Sequence, residues 1–179
     1  MRVIGGKYKR FTLTAPKGVT SRPTTDKIKE TMFNILGPME GIGLDLFAGS
    51  GGLGVEGLSR GLSKVIFVDG SYEAIQMIKK NTAFVEEDVE IYKNDFKRAL
   101  KALSKRDIQF NMIFLDPPYQ KNIVNEVLPL IKAYHLLAKE GRILIECEKN
   151  EVIDPLDFEV VKHENYGITK LMILRGNYE

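Results

Sequence analysis

Residues 45–54 read DLFAGSGGLG, and this stretch decides the fold. It closes an apolar run at 42–47 (IGLDLF), carries G-x-G-x-x-G at Gly49, Gly51 and Gly54, and opens into LGVEGLSR, a helical pattern closed by Gly61. A buried strand, a glycine turn and a helix make the first half of a nucleotide-binding βαβ unit, because glycines let the backbone turn tightly and approach a ligand. Alone the signal is weak, since many plain strand-to-helix turns carry such glycines.

Outward from this turn the chain keeps the same rhythm. Apolar runs at 64–68 (KVIFV), 89–93, 110–115 (FNMIFL) and 142–147 (RILIEC) alternate with helical segments, among them YEAIQMIKKN and about 121–138. Strands alternating with helices predict a largely parallel sheet covered on both faces. FEVVKH and ITKLMILR, joined by ENYG, read as a terminal hairpin that adds a reversed strand at one edge. The expected class is therefore α/β, a doubly wound, Rossmann-like sheet with one antiparallel strand. Before it, residues 2–14 read as two short strands around a Gly- and Lys-rich turn. A helix from about Thr24 to Leu36 follows, capped by Thr24 or Thr25 and stopped by Gly37-Pro38. We expect one domain over 1–179, with 1–38 a basic hairpin and helix appended to a Rossmann-like core at 39–179.

Two acids reinforce the glycine turn. Asp69 ends VIFVD, where a carboxylate accepts hydrogen bonds from ribose hydroxyls, and Asp95 in KNDF is placed to accept from an adenine amino group, with Phe96 beside it. Together with Asp45, Phe47, Gly49, Ser50 and Gly51 of the turn, these are the candidate cofactor residues. They suit an NAD enzyme as well as other nucleoside-binding enzymes.

The stretch NMIFLDPPYQ, residues 111–120, separates these possibilities. In a doubly wound sheet the first and fourth strands are neighbours, so the loop after Leu115 faces the glycine turn. A nucleobase amino group is a poor nucleophile because its lone pair is delocalised. Accepting its two hydrogens on the Asp116 carboxylate and the Pro117 carbonyl favours the pyramidal form that attacks a methyl sulfonium. The prolines fix two φ angles and hold that carbonyl in place, and Tyr119 offers a face for an extruded base.

Composition narrows the partners. With 179 residues, 44% hydrophobic and 28% charged, the chain suits one substantial core. It has no apolar run near the roughly 18 residues of a membrane span, and no apolar segment follows MRVIGGKYKR, so a cytoplasmic location is expected. One cysteine, Cys147, and two histidines, His135 and His163, offer no zinc spacing; a monomer without metal is expected. Charge is uneven. The first thirty residues carry eight basic side chains against two acidic, and the other 149 carry 18 against 22. A basic segment on a mildly acidic body suits a polyanion, with Arg2, Lys7, Lys9 and Arg10 as candidate RNA contacts. Lys97, Arg98, Lys101, Lys105 and Arg106 read as a solvated helix face.

The segments VIGGKYK, APKG, SRPTTDKIKETMFNIL, DLFAGSGGLGVEGLSRG, FVD, ND and FLDPPY together resemble a known family. It is the small-subunit methyltransferase D family, bacterial enzymes that methylate a guanine N2 amino group in 16S ribosomal RNA. The resemblance covers essentially the whole chain. It implies a class I methyltransferase fold with a seven-stranded sheet, S-adenosylmethionine as methyl donor, and a partly assembled small ribosomal subunit as substrate. It places Gly49, Gly51, Asp69 and Asp95 at cofactor positions, Asp116, Pro117 and Tyr119 at the target base, and Arg22 and Thr24 in a segment closing over the cofactor. The family tends to carry Gly-Arg where this chain has Arg10-Phe11. Within a strand that shift sends an arginine to the other face. The alternatives are a dehydrogenase, a non-enzymatic RNA-binding module, and an adenine-N6 or cytosine-N4 amino-methyltransferase, which needs room for a target-recognition domain.

Overall fold

The computed structural model describes residues 1–16, 26–119 and 121–176. After helix α1 (Asp26–Leu36) the chain alternates through β1 (Ile42–Asp45), α2 (Gly52–Ser59), β2 (Lys64–Asp69), α3 (Tyr72–Asn81), β3 (Asp88–Lys93), α4 (Phe96–Ser104), β4 (Phe110–Leu115), α5 (Val124–Ala133) and β5 (Leu137–Glu148). The hairpin β6 (Glu159–Tyr166) and β7 (Thr169–Arg175) ends it. The seven strands lie in the order β3-β2-β1-β4-β5-β7-β6. The first five run parallel, and β7 is antiparallel to both neighbours. This is the class I methyltransferase arrangement. The reversed strand is not itself the edge: β7 sits between β5 and β6, and β6 forms the edge, its pairing broken by a register shift between Val160 and Lys162. Such irregularity discourages edge-to-edge pairing.

Strand alternation divides the core between the two faces. Val65 and Phe67 of β2 join Phe114 and the helix residues Met32, Phe33, Val55, Leu58, Ile75 and Ile78 on one side. Ile66 and Val68 join Leu100, Leu103, Val127, Leu128 and Ile131 on the other. Phe33, Phe67 and Phe114 are fully buried, each worth about 2 to 3 kcal/mol of transfer free energy. Local chemistry starts the helices: the Ser71 hydroxyl accepts the Ala74 N–H at 3.3 Å, and the Asp95 carboxylate accepts that of Arg98 at 2.9 Å.

The helix expected over 121–138 is shorter. It begins at Val124, contains Pro129, and stops at Ala133, with His135 in the left-handed region at φ 52°. Leu137 already belongs to β5; a register shift between Phe110 and Met112 lets 138–141 leave the ladder before Arg142 resumes it. A polar KEG insertion hid that early start from an apolar-run reading.

The amino-terminal residues pack into the same core. Val3, Tyr8 and Leu13 are buried with Met32, Phe33 and Val55. Beneath them the buried Glu56 carboxylate accepts the Ile4 and Gly5 amides, each at 3.0 Å, and pairs with Lys29 at 3.3 Å and Arg60 at 2.8 Å. One carboxylate thus ties the first turn, α1 and α2 together. The two expected strands reduce to an Arg2–Thr12 bridge around a turn. Arg10 lies in that turn at φ 77°, a conformation that favours glycine. Face alternation therefore does not govern the Arg10-Phe11 pair: Arg10 occupies a left-handed turn position, and the Phe11 ring packs 4.6 Å from that of Phe84.

Candidate active site

The glycine turn lies at the carboxyl end of β1. The Gly49 N–H donates to Asp69 Oδ2 at 2.9 Å, and the Ser71 N–H donates to Asp69 Oδ1 at the same distance. Two amides therefore fix the carboxylate at the end of β2, and each oxygen keeps lone-pair capacity for an incoming hydroxyl. Gly49 has φ 57°, and a Cβ built on it would meet nothing within 4 Å. The turn thus leaves open space where a ligand would approach. Gly54 has the opposite surroundings: a Cβ there would lie 2.3 Å from Phe67 Cε1 and 3.1 Å from Asp45 Oδ2. The third glycine serves close packing of α2 on the sheet.

Asp45 lies beneath the turn, 1% exposed, with Oδ2 accepting the Gly54 N–H at 3.0 Å. Burial pushes its carboxyl up to about 7, the Gly54 hydrogen bond opposes this, and the nearby Asp69 charge adds to it. Ser50 and Gly51 also support the turn. The Ser50 carbonyl accepts from Asn81 Nδ2 at 2.8 Å, and Gly51 caps α2.

A cleft of about 630 Å³ opens above these strand ends. Phe47, Gly49, Asp69, Asp95 and Phe96 line one part of it, and Asp116, Pro118 and Tyr119 another. The rings of Phe47 and Phe96 stand 5.5 Å apart at 53°, an apolar wall suited to a base. Asp95 is half exposed, and its Oδ1 already caps α4. Pairing of β1 with β4, in the register Asp45 to Phe114, brings Asp116 across from the glycine turn. Pro117 is buried; Pro118 is exposed and forms the lining. The Tyr119 phenol and the Thr169 hydroxyl lie 2.8 Å apart.

The structure thus gathers Phe47, Gly49, Asp69, Asp95, Phe96, Asp116 and Tyr119 in one cleft. It places Asp45, Ser50, Gly51 and Pro117 behind the lining, as supports. Arg22 and Thr24 lie outside the described residues. Sequence reasoning missed Asn94, Lys121 and Ile123, which also line the cleft, and Thr169. Asn94 and Lys121 adjoin the motifs and were open to inference from them. Thr169 is 50 residues from Tyr119, and no local pattern marks it.

The four candidate RNA contacts separate. Arg2, Lys9 and Arg10 line a second cleft of about 410 Å³, with Arg60, Asn34, Asp26 and Glu30. Lys7 points elsewhere and pairs with Glu86 at 2.9 Å and Glu87 at 3.1 Å, bonds that raise its pKa. Of the α4 cations, Lys97 pairs with Glu126 at 3.3 Å and Arg98 with Asp95 at 3.4 Å.

The family model described as Conserved hypothetical protein 95 matches residues 1–175. Ribosomal RNA small subunit methyltransferase D of Escherichia coli (strain K12) is 33% identical over 150 residues, 83% of this chain and 75% of that protein. The chain belongs to the small-subunit methyltransferase D family. YlbH of Bacillus subtilis (strain 168) is 44% identical over 181 residues, 98% of each chain. Among solved structures, yhhF from Escherichia coli superposes with a TM-score of 0.82 at 28% identity, covering 98% of this chain and 97% of that one. Membership extends over the DPPY loop and the amino-terminal turn as well as the sheet.

Proposed function

We propose that the protein methylates the exocyclic N2 amino group of a guanine in 16S ribosomal RNA, in a partly assembled small subunit, as a monomer using S-adenosylmethionine. One observation carries this reading: the DPPY loop and the glycine turn with Asp69, Asp95 and Phe96 line a single cleft. A family relative in Escherichia coli is named a ribosomal RNA small subunit methyltransferase.

The residues present fit the donor. Asp69 offers acceptors for two ribose hydroxyls, Phe47, Phe96 and Ile123 an apolar bed for adenine, and Asp95 an acceptor for its amino group. Gly49 leaves the adjoining space free of side chain. When bound, the donor supplies an electrophilic methyl group on a sulfonium. Asp116 accepts a hydrogen bond from one hydrogen of the target amino group, which stays on nitrogen until the methyl has transferred, so that the nitrogen lone pair localises. The backbone carbonyl of Pro117, whose ring is buried behind the lining, accepts a hydrogen bond from the second. Tyr119 stacks on the extruded base, and alignment of the two reactants supplies much of the acceleration. Once alkylated, the nitrogen is strongly acidic, and its proton leaves to Asp116 or to water. Lys9 and Arg10 meet phosphates away from the reacting base; Arg2, paired with Asp26 at 3.1 Å, and Lys7, held by two glutamates, contribute less.

Incubation with tritiated S-adenosylmethionine and naked 16S RNA, immature small subunits, mature small subunits or duplex DNA tests the assignment. Label should appear in immature subunits and digest to N2-methylguanosine. Label in DNA alone, or in N6-methyladenosine, would overturn it.

A further inference from the structure

We propose that the β6–β7 turn is a substrate-contact element: Thr169 sets the angle of the Tyr119 ring against the target base, and Ile168 fills the stacking position that the base vacates. The inference rests on the methyltransferase reading above and adds the protein element that accommodates an extruded base.

Register places the turn. Ile145 of β5 pairs with Leu115, the last residue before Asp116, whereas Glu148 pairs with Thr169. Three residues of strand rise carry the turn about 10 Å beyond the end of β4, on the edge where the cleft opens. From there the Thr169 hydroxyl reaches the Tyr119 phenol at 2.8 Å. Thr169 is only 6% exposed, so its end of this part-buried bond is sheltered, and the bond fixes where the phenol end of the ring lies.

The residue before it is the reverse case. Ile168 is 62% exposed. A single exposed isoleucine is ordinary on a protein surface, but this one stands on a turn pinned from both sides. Its carbonyl accepts the Lys149 N–H at 2.8 Å, and the next residue is tied to Tyr119. Gly167, at φ 58°, completes the bend. A stiff β-branched side chain is therefore presented on rigid backbone, one residue from the threonine that holds Tyr119. Lys121, in the cleft lining, suits a phosphate flanking the target. Unstacking a base costs a few kcal/mol. An apolar side chain inserted into the gap offsets part of that cost, and a rigid one does so with little loss of entropy.

The test compares Thr169→Val, Thr169→Ser and Ile168→Ser with the wild type. It measures kcat and KM on immature small subunits, donor affinity by calorimetry, and thermal melting. Thr169→Val should lose roughly tenfold in kcat with donor affinity and melting unchanged, and Thr169→Ser should recover it. Ile168→Ser should raise KM for the RNA substrate roughly tenfold. Wild-type kcat in Thr169→Val, no recovery in Thr169→Ser, or an unchanged KM in Ile168→Ser would each overturn the proposal. If the wild type transfers no methyl to any small-subunit RNA, the functional reading itself fails, and this inference falls with it.

Discussion

Asp45 Oδ2 accepts the Gly54 amide at 3.0 Å directly beneath the glycine turn, so the strand that delivers the turn and the helix that leaves it are joined by one buried carboxyl. Burial raises that carboxyl to about 7. Between the unfolded value near 4 and about 7, the folded chain holds a proton that the unfolded chain has released. Stability must therefore fall as pH rises through this window, by up to about 4 kcal/mol for three pH units. Asp45→Asn keeps an acceptor for Gly54 without the charge. Urea unfolding should show the variant flatter than wild type between pH 4 and 7 and more stable at pH 8. An unchanged slope would remove Asp45 as its source.

Glu56 should matter more for stability than any surface ion pair. It is fully buried, with two backbone amides and two cations around it. Glu56→Ala leaves the buried Lys29 and the partly buried Arg60 without their counter-charge, a loss of about 3 to 5 kcal/mol in urea unfolding. The amide protons of residues 3–5 should then exchange faster than those of β4. A loss below about 1 kcal/mol would show that the amino-terminal turn is held by apolar packing alone.

Asn81 is 3% exposed and binds both sides of a seam. It accepts the Thr14 N–H at 2.7 Å, donates to the Thr14 carbonyl at 2.9 Å, and donates to the Ser50 carbonyl at 2.8 Å. Asn81→Ala unties the chain before residue 17 from the glycine turn. Donor affinity measured by calorimetry should fall about tenfold, since three hydrogen bonds at roughly 1 kcal/mol each are lost and part of that loss reaches the turn. Equal affinities would mean that the turn keeps its shape without Asn81.

Much of this architecture is legible in the sequence because strand and helix periods are local properties. The runs at 64–68 and 110–115 and the helix YEAIQMIKKN lie where their patterns put them. The early start of β5 is not legible, since a KEG excursion interrupts its apolar run, and neither is Thr169, whose partner is 50 residues away. At the site, Asp69, Asp95 and Asp116 stand out because strand order carries all three to one edge. Burial is harder to read. Asp45 looks like another ligand in a string of letters, yet it is a support, and only tertiary contacts separate Lys7, held by Glu86 and Glu87, from Lys9 and Arg10.

Cys147 provides a simple check on the core. Its thiol is buried and pushed up to about 12, chiefly by burial and then by the charge of Glu151. The thiolate is the reactive form, so an aromatic disulfide reagent at pH 8 should label the unfolded protein fully and the native protein negligibly. Rapid labelling of native protein would show that β5 opens readily.

In the proposed mechanism Asp116 grips the target amino group while Asp69 and the glycine turn hold the donor. The most direct measurement is single-turnover methyl transfer to immature small subunits by Asp116→Ala, at donor and RNA concentrations that saturate the variant. The variant should be at least about a hundredfold slower than wild type, from loss of a group acting on the reacting nitrogen. A wild-type rate would contradict that mechanism.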